Sequence, residues 1–433
     1  MTGFWLGVLF LSLFVFLLLR IPIFISLCLS SFIVILAVGN IPEAMVAQRL
    51  FGGIDKFALM AMPFYIYAAD LMIVGGIAQR LLKFTGSLLG FIPGAAALTT
   101  EFASMLFGAL SGSSPATVAA IGGLMYPEMK RQKYDEGFSV GLLASSGAVA
   151  ILIPPSITFI VYGAVSGVSI GALFISGIGA GLVFGGLICA YVVYYAKKNN
   201  IKSEAKFSLK EVGRTGKEAF WSLGVPVIII GGMYTGFFTA TEAAGVSAIY
   251  AIIIGMFVYK EMSLESLYKT TVNSAATISS VMVVVAAAAI FGWVLTIYQV
   301  PQLLAEALLT PFMTPTVFLI IINIIFLIAG MFMDGSAAVT IVIPIILPIA
   351  LKLGINPVHL GAISVANFAI GMYTPPFGLN LFVANKISGV GIEKIVKGTL
   401  PFIAVTLVAL VLITYIPQIS LALPSLVYPD ILK

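Results

Sequence analysis

Long apolar runs recur along the chain from Phe4 to Thr414, separated by short polar stretches. A helix needs about 20 apolar residues to cross the hydrocarbon core of a bilayer, and many of these runs are that long. Strands of a membrane barrel would instead alternate apolar and polar residues at period two. The pattern therefore predicts an all-α polytopic membrane protein. No basic residue precedes the first run and no small-residue cleavage site follows it, so we interpret it as a retained span.

The longest polar stretch, residues 197–217, carries seven basic residues and divides the chain near its middle. The halves on either side share features in the same order. Residues 151–170 read ILIPPSITFIVYGAVSGVSI and residues 372–392 read MYTPPFGLNLFVANKISGVGI, and a Gly/Ser-rich interruption precedes each Pro-Pro pair. Shared order at this scale indicates an internal repeat. We predict repeat 1 at residues 1–196, a cytoplasmic basic linker at 197–217, and repeat 2 at 218–433.

Each repeat is predicted to contain a re-entrant helical hairpin and a discontinuous helix. The hairpins are expected near residues 93–126 and 314–350, and the discontinuous helices near 137–166 and 358–388. Proline removes a backbone donor and blocks the preceding turn, while glycine leaves helical geometry at little cost. Each interruption should therefore free carbonyls and expose the ends of half-helices inside the membrane.

The basic residues test the orientation of the repeats. If the hairpins are re-entrant and the N-terminus is outside, 18 of the 22 Lys and Arg residues fall on one face and four on the other. The positive-inside rule makes the crowded face cytoplasmic. The two hairpins then enter from opposite sides, so the repeats are inverted. The four residues on the outer face are Arg49, Lys56, Lys352 and Lys433.

The interruptions predict two cation sites and a substrate site between them. Unwound carbonyls and hydroxyl oxygens suit Na⁺, and half-helix N-termini suit an anion; the alternative is that small residues only let helices pack closely. The first predicted cation site comprises Ser111, Gly112, Ser113, Ser145, Ser146, Gly147 and Pro154. The second comprises Asp334, Gly335, Ser336, Asn367, Gly371, Thr374, Pro375 and Gly378. The predicted substrate residues are Ser114, Pro115, Ser336 and Thr374.

Ionisable residues in apolar runs are costly and need a reason. Asp334 lies at the turn of the second hairpin, where it either binds a cation or caps the following helix. Glu242 fits a capping box with Thr239. Asp70 and Glu101 have no partner visible in the sequence, and their roles stay open.

His359, the only histidine, follows Asn356-Pro357 and is expected at the membrane interface.

Composition narrows the function. Only 9% of the residues are charged, the mean hydropathy is +1.14 and the formal net charge is +5, an excess that fits membrane topology rather than nucleic-acid binding. One histidine provides no zinc cluster, and no phosphate loop is present. Enzyme chemistry is thus not supported. The alternative to a transporter is an ion- or proton-translocating subunit of another complex, but such subunits carry chains of intramembrane Lys, Glu and His.

Several runs resemble the large membrane subunit of tripartite ATP-independent periplasmic (TRAP) transporters. They include PFYIYAADLMIVGGIAQRL, FGALSGSSPATVAAIG, GMFMDGSAAVTIVIPIILPIA and NPVHLGAISVANFAIGMYTPPFGLNLFV, and the resemblance covers essentially the whole chain in family order. Three positions depart from the family pattern. Asp70 replaces a small residue, Thr117 replaces an Asp, and Ala240 replaces a common Pro. The Thr117 departure leaves the first interruption without a carboxylate.

The resemblance implies an elevator-type fold like that of the ion-transporter superfamily, in a bacterial inner membrane. It implies a small four-helix membrane subunit and a soluble periplasmic substrate-binding protein as partners. It also implies uptake of an organic acid (a C4-dicarboxylate, a sialic acid or a sugar acid) driven by a sodium gradient without ATP.

Overall fold

The structure is a computed structural model that describes residues 2–19, 21–38, 42–203, 207–300, 302–303 and 313–428. All regular elements within these ranges are helical. In chain order the α-helices are α1 Thr2–Leu18, α2 Ile23–Val38, α3 Glu43–Ile54, α4 Ala61–Val74, α5 Ile77–Leu89, α6 Ala95–Ser111, α7 Ser114–Arg131, α8 Glu136–Ala148, α9 Ile157–Ser166, α10 Ile170–Lys198, α11 Leu209–Pro226, α12 Gly232–Tyr234, α13 Ala240–Ile253, α14 Leu264–Ile297, α15 Pro315–Phe332, α16 Gly335–Lys352, α17 Pro357–Gly371, α18 Leu379–Ser388, α19 Ile392–Tyr415 and α20 Gln418–Val427.

Short 3₁₀ turns lie at Phe57–Met60 and Val149–Ile151, and π-helical turns lie at Val227–Gly231 and Ile254–Val258. Seven helical stretches of the described chain are long and apolar enough to cross a membrane. These observations confirm the predicted all-α polytopic class.

Helices α6 and α7 form hairpin 1, and α15 and α16 form hairpin 2. Only two residues separate the arms of each hairpin: Gly112 and Ser113 in the first, Met333 and Asp334 in the second. Gly112 ends its arm in the left-handed conformation (φ 58°), which a residue with a side chain rarely adopts. We call these two junctions tip 1 and tip 2.

Helices α8 and α9 form broken helix 1, and α17 and α18 form broken helix 2. Each break contains a cis Pro-Pro bond, Pro154–Pro155 in the first and Pro375–Pro376 in the second. Each second segment is ten residues long and ends at a glycine in the left-handed conformation. The residues that interrupt the hydropathy pattern are thus the ones at which the helices end.

Corresponding helices of the two halves are separated by the same number of residues. Helices α7 and α16 are both 18 residues long and begin 221 positions apart (335 − 114), and α8 and α17 begin 221 positions apart as well (357 − 136). Their packing is reciprocal, because α9 of the first half packs on α16 of the second while α18 of the second packs on α7 of the first. Reciprocal contacts of this kind are what a two-fold relation between two units produces.

Glycines allow each hairpin to approach its own broken helix closely. A Cβ added at Gly108 would lie less than 3.0 Å from the backbone of Ala150, and one added at Gly371 would lie less than 3.0 Å from the backbone of Gly330. Side chains at these points would force the elements apart. The hairpins are thereby held against the breaks.

Three predictions about single residues have different outcomes. His359 is buried within the protein, at 4% exposure, and its Nδ1 and Nε2 lie 2.7 Å from Ser420 Oγ and 3.2 Å from the carbonyl of Thr414. Its place at the membrane interface stays a prediction. Glu242 forms the expected capping box with Thr239. Lys433, expected on the outer face, lies outside the described residues.

Candidate functional site

The two tips line one cavity of about 900 Å³, which we call the central cavity. Its walls come from both hairpins, both broken helices, α4 and α14. The polar and tip residues that line it are Asp70, Gly112, Ser113, Ser114, Pro115, Thr158, Thr277, Asp334, Gly335, Ser336 and Lys386. Interruptions more than 200 positions apart in the sequence therefore meet at a single site.

Tip 1 is a hydroxyl-rich turn. Ser111 Oγ lies 2.9 Å from Thr117 Oγ1, and Thr117 Oγ1 donates to the carbonyl of Ser113 at 2.9 Å. The carbonyl of Gly112 accepts a hydrogen bond from the backbone N–H of Ile157 at 3.3 Å, which joins the tip to the start of α9. Among the residues that the structure describes, no side chain caps the N-terminus of α7. The first backbone N–H groups of α7 therefore begin the helix without a side-chain acceptor.

Tip 2 has a carboxylate at the matching position. Asp334 Oδ1 accepts hydrogen bonds from the backbone N–H groups of Ser336 at 2.8 Å and Ala337 at 3.3 Å. The carboxylate is therefore the N-cap of α16, one of the two roles that the sequence left open, and it also lines the central cavity. The carbonyl of Met331 accepts from the N–H of Gly378 at 3.2 Å, as Gly112 does from Ile157.

The predicted residues divide into two groups. Those on the tips line the central cavity: Gly112, Ser113, Ser114, Pro115, Asp334, Gly335 and Ser336. The others lie outside its lining: Ser111, Ser145, Ser146, Gly147, Pro154, Asn367, Gly371, Thr374, Pro375 and Gly378. The structure therefore brings the two tips together but does not place the broken-helix residues at the same surface.

The buried polar residues of the first predicted cation site, which lie behind tip 1, differ in their hydrogen bonding. Ser145 Oγ donates to the carbonyl of Gly141 at 2.9 Å within its own helix. Ser146 Oγ and the carboxyl of Glu101 are neighbours, and neither forms a hydrogen bond within the described chain. Glu101 itself is 0% exposed. This carboxyl thus belongs to the interior behind tip 1, not to the central cavity.

In the second predicted cation site, Thr374 Oγ1 donates to the carbonyl of Ile370 at 2.6 Å. Asn367 Nδ2 donates to Asn323 Oδ1 at 2.6 Å, whereas Asn367 Oδ1 has no hydrogen-bond partner among the described residues. An amide oxygen that is buried without a donor is a suitable ligand for a cation.

Sequence reasoning missed several residues of the site. Asn380 Nδ2 bonds to Ser114 Oγ at 2.8 Å and to the carbonyl of Ala144 at 2.7 Å, which ties α18 of one repeat to hairpin 1 of the other. Asp70 Oδ2 accepts from Ser274 Oγ at 2.6 Å at the cavity wall. The asparagine gave no sequence signal. Asp70 was visible as an acid in an apolar run, but its partner lies 204 positions away.

The sequence matches the family described as "Tripartite ATP-independent periplasmic transporter, DctM component" over residues 10–419. It is 45% identical over 407 residues to the isethionate TRAP transporter permease protein DctMQ of Oleidesulfovibrio alaskensis, an alignment that covers 94% of this chain and 64% of that relative. It is 40% identical over 400 residues to the C4-dicarboxylate TRAP transporter large permease protein DctM of Pseudomonas aeruginosa, covering 92% of this chain and 94% of the relative. The chain thus spans less than two thirds of the first relative and nearly all of the second.

Among solved structures, the chain is similar to the YdaH transporter of Alcanivorax borkumensis. The TM-score is 0.61, the sequence identity is 16%, and the match covers 88% of this chain and 89% of that one. At this identity the likeness concerns the fold alone. It agrees with the helical membrane architecture described above.

Proposed function

The chain belongs to the TRAP transporter family as a DctM-type large permease subunit of the bacterial inner membrane, and we propose that it carries a small organic anion inward, driven by a sodium gradient. The relatives are named as permeases rather than enzymes, in agreement with the interpretation of the sequence as a transport protein. One of them is named for isethionate, a sulfonate, and another for C4-dicarboxylates. The proposed cargo is accordingly an organic acid, and a C4-dicarboxylate, a sialic acid and a sugar acid remain candidates.

The observation that carries the proposal is the meeting of two chemically different tips in one cavity. An uncapped N-terminus carries partial positive charge, and such a terminus at tip 1 suits the acid group of a substrate. A carboxylate at tip 2 suits a cation. The cavity therefore has the two kinds of group that coupled transport of an anion and Na⁺ requires.

We place the cation next to Asp334. Both backbone donors of the cap go to Oδ1, and the Ser336 side chain also bonds to the carboxylate; the proposed ligand of Na⁺ is Oδ2. Hydroxyl and carbonyl oxygens of tip 2 would complete the oxygen shell that such a cation needs, with Asn367 Oδ1 as a further ligand deeper in the repeat. The substrate acid group would lie near Ser113, Ser114 and Pro115 at the start of α7, in the cavity that Lys386 also lines.

The central cavity lies between α4 and α14 on one side and the hairpins with the broken helices on the other. We propose that the hairpins and the broken helices move as a body against α4 and α14, in an elevator movement. The repeats would be inverted across the membrane, as the basic residues indicate. The proposed partners are the small four-helix membrane subunit and the periplasmic substrate-binding protein of the family.

Uptake into vesicles that contain this chain and its partners, with and without an inward sodium gradient, tests the proposal. We expect Asp334→Asn to abolish or shift the sodium dependence of uptake. Asparagine caps helices about as well as aspartate, so this change removes the charge while it retains the cap. Glu242→Gln, at the capping box of α13, is the matched control. A sodium activation curve that is the same in Asp334→Asn and in the unchanged chain would refute the assignment.

A further inference from the structure

A second cavity of about 690 Å³, which we call the basic cavity, lies beside the central cavity. Its lining comes from α3, α9, α14, α16 and the turn that follows α3, and it includes Arg49, Gly52, Lys56, Gly292 and Trp293. Arg49 and Lys56 are exposed.

The two cavities follow one another along the same three helices. On each helix, the residue that lines the basic cavity comes three or four positions after the residue that lines the central cavity, which is about one helical turn. The pairs are Thr158 and Val161 on α9, Ser336 and Thr340 on α16, and Val281 and Val285 on α14. The two cavities are therefore neighbours along these three helices.

The charged side chains in the described lining of the basic cavity are all positive. Two cationic side chains line it, and no Asp or Glu is among its described lining residues. Lys56 Nζ donates to the carbonyl of Ala164 at 2.7 Å. The Arg49 guanidinium lies 5.3 Å from the centre of the Trp293 ring, and in the described part of the chain it forms neither an ion pair nor a hydrogen bond. Its donors are therefore free to bind an acid group, two of whose oxygens a guanidinium can bind side by side.

Two glycines keep the space in front of Arg49 open. A Cβ added at Gly52 or at Gly292 would meet no atom within 4 Å. Close packing therefore does not explain glycine at these positions. A methyl group would fit at either position without a clash.

We propose that the basic cavity is a second anion site, in which Arg49 binds the carboxylate or sulfonate group of an organic anion before the anion reaches the central cavity. Its place on the entry side rests on the orientation and transport direction in the proposed function. The anion site itself rests only on the geometry of Arg49, Trp293 and the two glycines.

Fluorescence of Trp293 can report anion binding, since the ring lies against Arg49. The test uses the full chain in lipid vesicles, with Trp5→Phe and Trp221→Phe as background changes so that Trp293 is the single tryptophan. The probes are succinate and 2-hydroxyethanesulfonate, titrated at constant ionic strength up to about 10 mM, where a site of millimolar affinity is filled. We expect a saturable change that Arg49→Gln weakens about tenfold or more.

Two further variants serve as a control for charge and as a test of the cavity itself. Lys352→Gln removes another cation predicted on the same face, one that is absent from the cavity lining, and should leave the titration unchanged. Gly292→Leu fills the cavity while it retains Arg49, and should also abolish saturation. An equal affinity in the parent, Arg49→Gln and Gly292→Leu, or no saturable change in the parent, would overturn the proposal. The titration should persist in Asp334→Asn, so its failure and the failure of sodium coupling are distinguishable.

Discussion

Tip 1 begins the second arm of its hairpin without a side-chain cap, whereas tip 2 begins the second arm under the carboxylate of Asp334. The two second arms are equal in length and stand in the same register, so each tip begins an equivalent helix. Free N–H groups at a helix start attract anions, and a carboxylate attracts cations. Two equivalent positions of a repeated fold can thus differ in charge when the capping residue differs.

Among the substitutions proposed here, we expect the largest loss of stability at the glycine of tip 1. In Gly112→Val, the new Cβ would lie less than 3.0 Å from the carbonyl oxygen of Pro155, at a φ of 58° that β-branched residues avoid. Steric overlap and the left-handed strain together should lower the free energy of unfolding by about 2–4 kcal/mol. Thermal unfolding of the purified protein in detergent measures this loss.

Gly123→Ala, in the second arm of the same hairpin, is the control for that loss. A Cβ at Gly123 meets no atom within 4 Å, so we expect no destabilisation. Equal melting temperatures for Gly112→Val and the unchanged chain would mean that tip 1 is not held against the break of broken helix 1.

Transferring the tip 2 cap to tip 1 sharpens the comparison directly. Ser113→Asp places a carboxylate at the N-cap of α7, where it should accept the first N–H groups and stabilise the helix by about 1 kcal/mol. The same carboxylate should repel the acid group of the substrate. We therefore expect a raised melting temperature together with a KM for uptake that is higher by about tenfold.

Ser113→Asn separates these two effects, because it caps the helix without adding charge. If Ser113→Asp and Ser113→Asn raise the KM equally, charge at tip 1 does not govern substrate binding.

The smallest effect on stability and on the KM for uptake is expected for Ser111, which directly precedes tip 1. Ser111→Ala removes the hydrogen bond to Thr117 Oγ1 and should lower stability by about 1 kcal/mol. Since Ser111 does not line the central cavity, the KM for uptake should change by less than twofold. A large rise in KM without loss of stability would instead support Ser111 as a direct ligand, as the sequence suggested.

The sequence predicted the positions at which helices break, because Gly and Pro determine local backbone geometry. It could not predict which broken segments touch. Asn380 joins Ser114 across 266 positions, and Asp70 joins Ser274 across 204. The partners of His359 could not be predicted for the same reason. Ser420 and the carbonyl of Thr414 lie more than 50 positions further along the chain, and their hydrogen bonds satisfy both nitrogens of the buried ring.

Binding of sodium to the purified chain tests the difference between the tips without any substrate. A ligand that binds only the folded state raises stability by RT ln(1 + [L]/Kd), about 2.7 kcal/mol at one hundred times Kd. The account predicts that Na⁺, compared with K⁺ at equal ionic strength, raises the melting temperature of the unchanged chain and of Ser113→Asn but not of Asp334→Asn. An equal rise in Asp334→Asn would contradict the assignment of the cation to tip 2.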